Sequence, residues 1–173
     1  MWKLIARNLI RGPVTIPAPK PGGEALAELA RRIDAAARAR LGRSLSIREV
    51  DAGSCNGCEL EIHALNNAVY DLERFGIRFV ASPRHADVLL VTGPVTANMR
   101  EALLRTYHAT PDPKWVVAVG DCAADGGCFA GSYAVIGGID QVVPVDLHIR
   151  GCPPSPVRLL EGLLALLTAS CGR

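Results

Sequence analysis

Apolar and polar residues alternate along the chain in patterns that predict strands and helices in turn. Two continuous apolar runs, Asp87–Thr92 and Trp115–Val119, are typical of strands buried on both faces of a sheet. Shorter apolar segments predict four further strands: Ser44–Val50, Ile77–Val80, Ile139–Val143 and Asp146–Ile149. Apolar residues at helical spacing predict four helices: Glu24–Leu41, Cys58 to Phe75, Thr96–His108 with Thr96 as its cap, and Ser155–Ala169. Strands that alternate with helices indicate an α/β fold with a doubly wound, flavodoxin-like parallel sheet.

The order of these elements predicts three parts of the chain. Residues 1–23 are predicted to be an extended basic arm, because four prolines between positions 13 and 21 exclude a regular helix or a central strand. Residues 24–43 hold an N-terminal helix, and residues 44–173 form the α/β domain. The arm carries apolar residues that it cannot bury alone, so we expect it to lie along a partner subunit, or else on a membrane surface.

The charges are unevenly distributed, although the net charge of the chain is only +2. Residues 1–50 contain ten Lys and Arg against four Asp and Glu, and residues 51–173 contain nine against thirteen. A basic front end on a mildly acidic body predicts contact with an acidic partner or a lipid surface, and a solvated arginine-rich helix explains it equally well. We expect no nucleic-acid partner.

The location and the cysteine content together favour metal or redox chemistry. No run reaches the roughly 18–20 apolar residues that a membrane span needs, and no secretory signal is recognisable, which predicts a cytoplasmic location. Thiols stay reduced there, so the six cysteines are expected to bind metal or to act in redox chemistry rather than to form disulfides.

Four cysteines follow predicted strands. Cys55 and Cys58 form a Cys-x-x-Cys pair at a strand-to-helix junction, and Cys122 and Cys152 each follow a later strand within three residues. The carboxyl ends of parallel strands share one edge of a sheet, so these thiols are expected to converge on a metal centre. Structural zinc usually closes two short knuckles. Here only the first pair is short, which favours an iron–sulfur cluster and leaves a zinc-stapled structural scaffold as an alternative.

Four motifs carry a resemblance to a known family. They are Cys-Asn-Gly-Cys-Glu at 55–59, Ser-Pro-Arg-His-Ala-Asp-Val at 82–88, Gly-Asp-Cys-Ala-Ala-Asp-Gly-Gly at 120–127, and Val-Pro-Val-Asp with Gly-Cys-Pro-Pro at 143–154. From about Ile47 to Leu167 the chain resembles the cluster-bearing small subunit shared by respiratory complex I and [NiFe] hydrogenases. The resemblance is closest to the energy-converting, membrane-bound hydrogenases of the formate-hydrogenlyase type.

Two departures refine the resemblance. Complex I members carry two adjacent cysteines at the first position, whereas here two residues separate Cys55 from Cys58. Uptake hydrogenase small subunits usually continue into a second domain with two further clusters, whereas this sequence runs only 21 residues beyond Cys152. Both features predict a hydrogenase-like subunit that holds the proximal cluster alone.

The resemblance implies a ligand set, a function and partners. Cys55, Cys58, Cys122 and Cys152 would ligate one [4Fe–4S] cluster that passes electrons between a ferredoxin-like cluster subunit and a Ni–Fe large subunit interconverting protons and hydrogen. Membrane subunits would couple this reaction to ion translocation and hold the chain peripherally on the cytoplasmic side of the inner membrane. A complex I-like small subunit of a quinone or sulfur-compound reductase without a nickel site is the alternative.

The resemblance also bears on residues near the predicted ligands. Glu59 matches a family glutamate near the subunit junction, where a carboxylate could relay protons. An ordinary acid favoured by the helix dipole is the competing interpretation. His63 is expected to be a packing or surface residue. The other residues are expected to be reduced thiols or loop-solvating acids: Cys128 and Cys171, and Asp121 and Asp125.

Overall fold

The structure is a computed structural model that describes residues 23–169. The predictions for residues 1–22 and for Cys171 lie outside the described residues. The helices are α1 (Gly23–Leu41), α2 (Gly57–Ala64), α3 (Arg100–Ala109), α4 (Asp121–Asp125) and α5 (Pro156–Thr168). The strands are β1 (Ser46–Asp51), β2 (Arg78–Phe79), β3 (Val88–Thr92), β4 (Val95–Thr96), β5 (Trp115–Val119), β6 (Val135–Gly137) and β7 (Leu147–Ile149). Short 3₁₀ turns occupy Leu72–Phe75, Pro83–His85, Gly127–Phe129 and Ile139–Gln141.

Five strands form one all-parallel sheet in the order β2-β1-β3-β5-β7. Counted within the sheet this is the flavodoxin-like order 2-1-3-4-5, so the predicted fold class is confirmed. The last residues of β1, β3, β5 and β7 pair with one another and form one row across the sheet: Asp51, Thr92, Val119 and Ile149. The segments that follow these strands therefore leave the sheet from one level edge, which is where ligands bind in this class of fold.

Helices cover both faces of the sheet because side chains of the central strands alternate between two cores. In β3, Val88 and Leu90 belong to the core shared with α1, α2 and α5, whereas Leu89 and Val91 belong to the core shared with α3 and α4. All five residues of β3 and all five of β5 are buried. The two cores hold the carboxyl-terminal edge of the sheet rigidly in place.

Helix α1 is integrated into this domain through its apolar face. Ala30, Ile33 and Ala37, which lie at helical spacing, are fully buried against the sheet core. Near the end of α1, Arg40 Nη1 donates hydrogen bonds of 3.1 Å to the carbonyl oxygens of Leu166, Leu167 and Ala169. A cation at these carbonyls also interacts favourably with the negative end of the α5 helix dipole, and its hydrogen bonds join the two helices.

Three of the predicted elements are wrong in type or extent. Ile139–Val143, predicted as a strand, begins with a 3₁₀ turn, because the Ile139 carbonyl accepts hydrogen bonds from the N–H groups of Val142 and Val143. The helix predicted from Cys58 to Phe75 ends at Ala64. Asn67 Oδ1 accepts from the backbone N–H groups of Val69 and Tyr70 in an Asx turn that competes with helix formation.

The third error concerns the start of α3. Thr96 does not cap this helix, which begins at Arg100. The backbone N–H and the hydroxyl of Thr96 both donate to the Ala52 carbonyl, at 2.9 and 3.2 Å, and Thr96 belongs to β4. The antiparallel pair β4–β6 was not predicted, because strands of two and three residues are too short to show an apolar alternation.

A helix that crosses a bilayer must be both long and apolar. Within residues 23–169, no helix combines the length and the apolarity that a membrane-crossing segment requires.

Candidate metal centre

The level edge of the sheet brings the four predicted cysteines to one recess. Its lining comprises Ser54, Cys55, Gly57, Cys58, Gly93, Asp121, Cys122, Gly151, Cys152 and Pro153. These residues follow β1, β3, β5 and β7, so the recess lies at the carboxyl-terminal edge of the sheet. The structure thus brings the four thiols, which come from the ends of three separate strands, to the lining of one recess.

A compact turn delivers Cys55 and Cys58 from the end of β1. Asp51 Oδ1 accepts hydrogen bonds of 2.7 Å from the N–H groups of both Gly53 and Ser54. Asn56, the residue before α2, has a left-handed φ of 70°, which short polar side chains tolerate. The chain therefore reverses within a few residues, and both thiols reach the recess at the start of α2.

The turns that carry Cys122 and Cys152 are paired through their backbones. Gly120 N–H donates to the Ile149 carbonyl at 2.8 Å, and Asp121 N–H donates to the Gly151 carbonyl at 3.0 Å. In return, Gly151 N–H donates to Asp121 Oδ1 at 3.1 Å. These bonds extend the β5–β7 pairing beyond the strands, so the positions of the two cysteines are coupled.

Glycine backbone lies directly against two of the sulfur atoms. A Cβ added to Gly120, whose φ is +93°, would stand 2.6 Å from Cys58 Sγ. A Cβ added to Gly127 would stand 2.8 Å from Cys122 Sγ. Side chains are thus excluded from the space beside both sulfurs, and the backbone approaches them closely.

The thiols influence one another electrostatically. The pKa of Cys58 is raised to about 12, mainly because the thiol is buried, and further by Glu59 and by the thiols of Cys122, Cys55 and Cys152. Burial also raises the pKa of Cys122. Both are therefore protonated at neutral pH without a metal, and a metal that binds thiolates must displace these protons.

The donor set fits an iron–sulfur cluster better than a single ion. All four candidate ligands are thiols, which iron–sulfur clusters prefer. No three His, Cys, Asp or Glu side chains among residues 23–169 are grouped as closely as one metal ion requires. The four cysteines line one recess whose walls are largely glycine and cysteine, so a group that takes all four thiols would be held there.

Glu59 lies beside the recess in an unusual environment. It is only 7% exposed, and neither of its carboxylate oxygens accepts a hydrogen bond from the described residues. Burying a carboxylate without a partner is unfavourable, so structural stability does not explain this residue. Glu59 also lies in the first turn of α2, which is the position that the helix-dipole interpretation of this acid requires.

A second acid, Glu49 of β1, was not singled out from the sequence. The pKa of Glu49 is raised overall. Burial raises it most, the nearby His63 lowers it, and Glu59 adds a smaller increase, so the protonation of Glu49 depends on both residues. Glu49 Oε2 lies 3.5 Å from Nε2 of His63, whose side chain is 71% exposed as expected for a surface residue. Glu49 stands beside two other charged residues of β1, Arg48 and Asp51, so the sequence carried no signal that set it apart.

The acids around Cys122 have a cationic partner that the sequence did not reveal. Arg150 Nη1 lies 2.6 Å from Asp125 Oδ2 and 3.9 Å from Asp121 Oδ1. Its position directly before Gly151 and Cys152 was the available signal. Cys128 is an exposed free thiol outside the lining of the recess, in agreement with its exclusion from the predicted ligand set.

The chain is similar to a known protein family and to individual members of hydrogenase complexes. Residues 55–166 match the family described as NADH ubiquinone oxidoreductase, 20 Kd subunit. Formate hydrogenlyase subunit 7 of Escherichia coli is 45% identical over 152 residues, which cover 88% of this chain and 58% of that relative. A probable membrane-bound hydrogenase subunit, mbhJ of Pyrococcus furiosus, is 47% identical and covers 73% of this chain and 76% of its own length. The chain thus spans little more than half of the first of these relatives.

One solved structure shows a similar fold. A chain of the membrane-bound sulfane sulfur reductase, described as an archaeal respiratory membrane complex, has a TM-score of 0.65 and 38% sequence identity. The similarity covers 79% of this chain and 73% of that one.

Proposed function

Because the chain belongs to the NADH:ubiquinone oxidoreductase 20 kDa subunit family, we propose that it is an electron-relay subunit with one [4Fe–4S] cluster held by Cys55, Cys58, Cys122 and Cys152. The observation that carries this proposal is the meeting of four thiols, from the ends of three parallel strands, at one recess. When bound, such a cluster takes up and releases a single electron at a potential that its surroundings set. The chain itself makes and breaks no substrate bond.

The zinc-stapled scaffold is the weaker alternative. Structural zinc usually joins two pairs of ligands that are each close in sequence, and here only Cys55 and Cys58 form such a pair. The two apolar cores also give the domain a stable interior that depends on no metal. Analysis for iron, acid-labile sulfide and zinc tests this choice, because zinc at one per chain without iron would end the cluster proposal.

Two observations support a hydrogenase-type complex around this subunit. Relatives 45% and 47% identical carry the names formate hydrogenlyase and membrane-bound hydrogenase, and the cysteine pair has the hydrogenase-like spacing. We therefore place the chain between a ferredoxin-like cluster subunit and a Ni–Fe large subunit that interconverts protons and hydrogen. Ion-translocating membrane subunits would hold it peripherally at the cytoplasmic face of the inner membrane.

A second candidate function replaces hydrogen by another electron acceptor. The 38% identity to a chain of a sulfane sulfur reductase supports a complex that reduces a sulfur compound. The family description, an NADH ubiquinone oxidoreductase subunit, supports a quinone as acceptor in the same way, and in either case the large subunit would have no nickel site. The fold of this subunit serves both candidates, so the partner decides between them. A large subunit with two Cys-x-x-Cys pairs, one near each end, would favour nickel.

The decisive experiment assays the purified complex that contains this chain. With reduced viologen as electron donor, we expect hydrogen evolution, together with nickel and iron in the preparation. Consumption of polysulfide without nickel or hydrogen would instead establish the second candidate. A complex that has full iron content but transfers electrons to none of these acceptors would contradict the relay.

Within this proposal Glu59 relays protons. Its carboxylate follows a proposed ligand directly in sequence, is buried, and accepts no hydrogen bond from residues 23–169. Glu49 lies close enough for its pKa to respond both to Glu59 and to the exposed His63. A carboxylate that is free of structural hydrogen bonds can take up and release a proton without breaking the fold.

Replacing Glu59 by glutamine should lower hydrogen evolution by the complex by at least about tenfold, since the amide keeps the shape of the side chain but cannot exchange protons. Iron and sulfide content should stay unchanged, and so should reduction of the cluster by dithionite. The matched control is Glu61→Gln, which makes the same change two residues along in α2. Equal rates in the two variants would contradict a relay through Glu59.

A further inference from the structure

The guanidinium of Arg150 connects α4, which carries Cys122, with the segment after β7, which carries Cys152. Arg150 directly precedes Gly151 and Cys152, and its Nη1 donates to Asp125 Oδ2 at 2.6 Å across a sequence separation of 25 residues. The same nitrogen lies 3.9 Å from Asp121 Oδ1. One guanidinium therefore lies within 4 Å of both carboxylates of α4.

Each of these carboxylates also holds backbone next to a proposed ligand. Asp121 Oδ1 accepts from the N–H of Gly151, the residue before Cys152, at 3.1 Å. Asp125 Oδ1 accepts from the N–H of Gly127 at 2.9 Å, and Gly127 lies against Cys122 Sγ. A displacement of Arg150 would therefore be transmitted to both cysteine loops through these bonds.

Stability alone does not account for this arrangement. The side chains of Arg150, Asp125 and Asp121 are 53%, 56% and 41% exposed, and ion pairs at such exposure stabilise a fold very little. Aspartate and arginine side chains are ionised at neutral pH, and the hydrogen bonds from Arg150 and then from Gly127 lower the pKa of Asp125 further below that range. The group therefore presents one fixed positive and two negative charges at the rim of the recess.

We propose that Arg150 is a positioning residue that fixes the two ligand loops relative to each other, and that its charge, opposed by Asp121 and Asp125, sets the reduction potential of the cluster. This inference rests on the proposed function, since it assumes that the recess holds a cluster. A reduced cluster carries one more negative charge than an oxidised one. Nearby cations therefore favour the reduced state and nearby carboxylates oppose it.

The test measures the midpoint potential of the cluster in the purified complex by EPR-monitored redox titration. In Arg150→Gln both carboxylates lose their partner, and we expect the ratio of reduced to oxidised cluster at a fixed potential to fall about fivefold. In Asp125→Asn one negative charge is lost while an oxygen remains for Gly127, and we expect a rise of similar size. For a one-electron couple each change corresponds to about 40 mV.

Two controls separate this effect from general consequences of substitution. Arg150→Lys keeps the charge and should keep the wild-type potential. Arg105→Gln breaks a more exposed ion pair, with Glu101 on α3, and should leave the potential unchanged. The opposite shifts should also shrink at high salt, because charges this exposed are screened.

The outcomes distinguish this inference from the proposed function. A complex without iron and sulfide in this chain would overturn the cluster itself. A full cluster whose potential moves in the same direction in Arg150→Gln and Asp125→Asn, or moves in neither, would overturn the role of Arg150 and leave the relay standing. If Arg150→Gln prevents assembly, the sign of the shift in Asp125→Asn alone decides.

Discussion

Replacing Cys122 by serine is expected to abolish the cluster, reducing iron from about four per chain to less than one and removing the EPR signal of the reduced state. Cys122 follows β5 and reaches the recess through Gly120 and Asp121, whose N–H groups donate to the carbonyl oxygens of Ile149 and Gly151. A serine hydroxyl at the same position is a poor ligand for iron, because iron–sulfur clusters are held by thiolates. Hydrogen evolution by the complex should be lost with the cluster.

The matched control is Cys128→Ser, which removes a thiol six residues further on that is exposed and does not line the recess. Iron, sulfide and the EPR signal should remain at wild-type levels. Because Cys128 influences the pKa of Cys122, it lies near enough to be tried as a replacement ligand, and the double variant excludes that rescue. Wild-type iron and sulfide content in the double variant would show that the proposed ligand set is wrong.

The place where the four cysteines meet could be predicted from the sequence because it depends on topology rather than on side-chain detail. Strand assignments for β1, β3, β5 and β7 needed only apolar patterning, and parallel pairing then forces their carboxyl ends to one edge. The register aligns those ends more closely than patterning could indicate, with Val119 opposite both Thr92 and Ile149. The convergence of the cysteines followed from this alone.

Features that depend on competing hydrogen bonds were not predicted. The end of α2 is set by the side chain of Asn67, and the role of Thr96 is set by the carbonyl of Ala52, a residue 44 positions away. The contact between Arg150 and Asp125 likewise needs two exposed side chains to meet across separate loops. Apolar periodicity carries no information about which side chains form such hydrogen bonds, so these contacts are evident only from the structure.

Glycine 120 shows how closely the backbone is fitted to the proposed ligands, and its replacement by alanine provides the second strong test. Its φ of 93° and ψ of 162° lie in a region that is essentially restricted to glycine, and the new Cβ would stand 2.6 Å from Cys58 Sγ. Backbone strain and overpacking together should lower the free energy of unfolding by about 2–4 kcal/mol. Displacement of the Cys58 sulfur should also leave most chains without iron.

Gly131→Ala separates these two effects. Gly131 also has a positive φ, of 80°, but a Cβ there meets no atom within 4 Å. This variant should lose only about 1 kcal/mol, from the left-handed backbone, and should keep its full iron content. Chemical denaturation and iron analysis of both variants measure the difference. If Gly120→Ala binds iron as fully as Gly131→Ala, the Cys58 sulfur has room to move, and close backbone packing is not what places it at the centre.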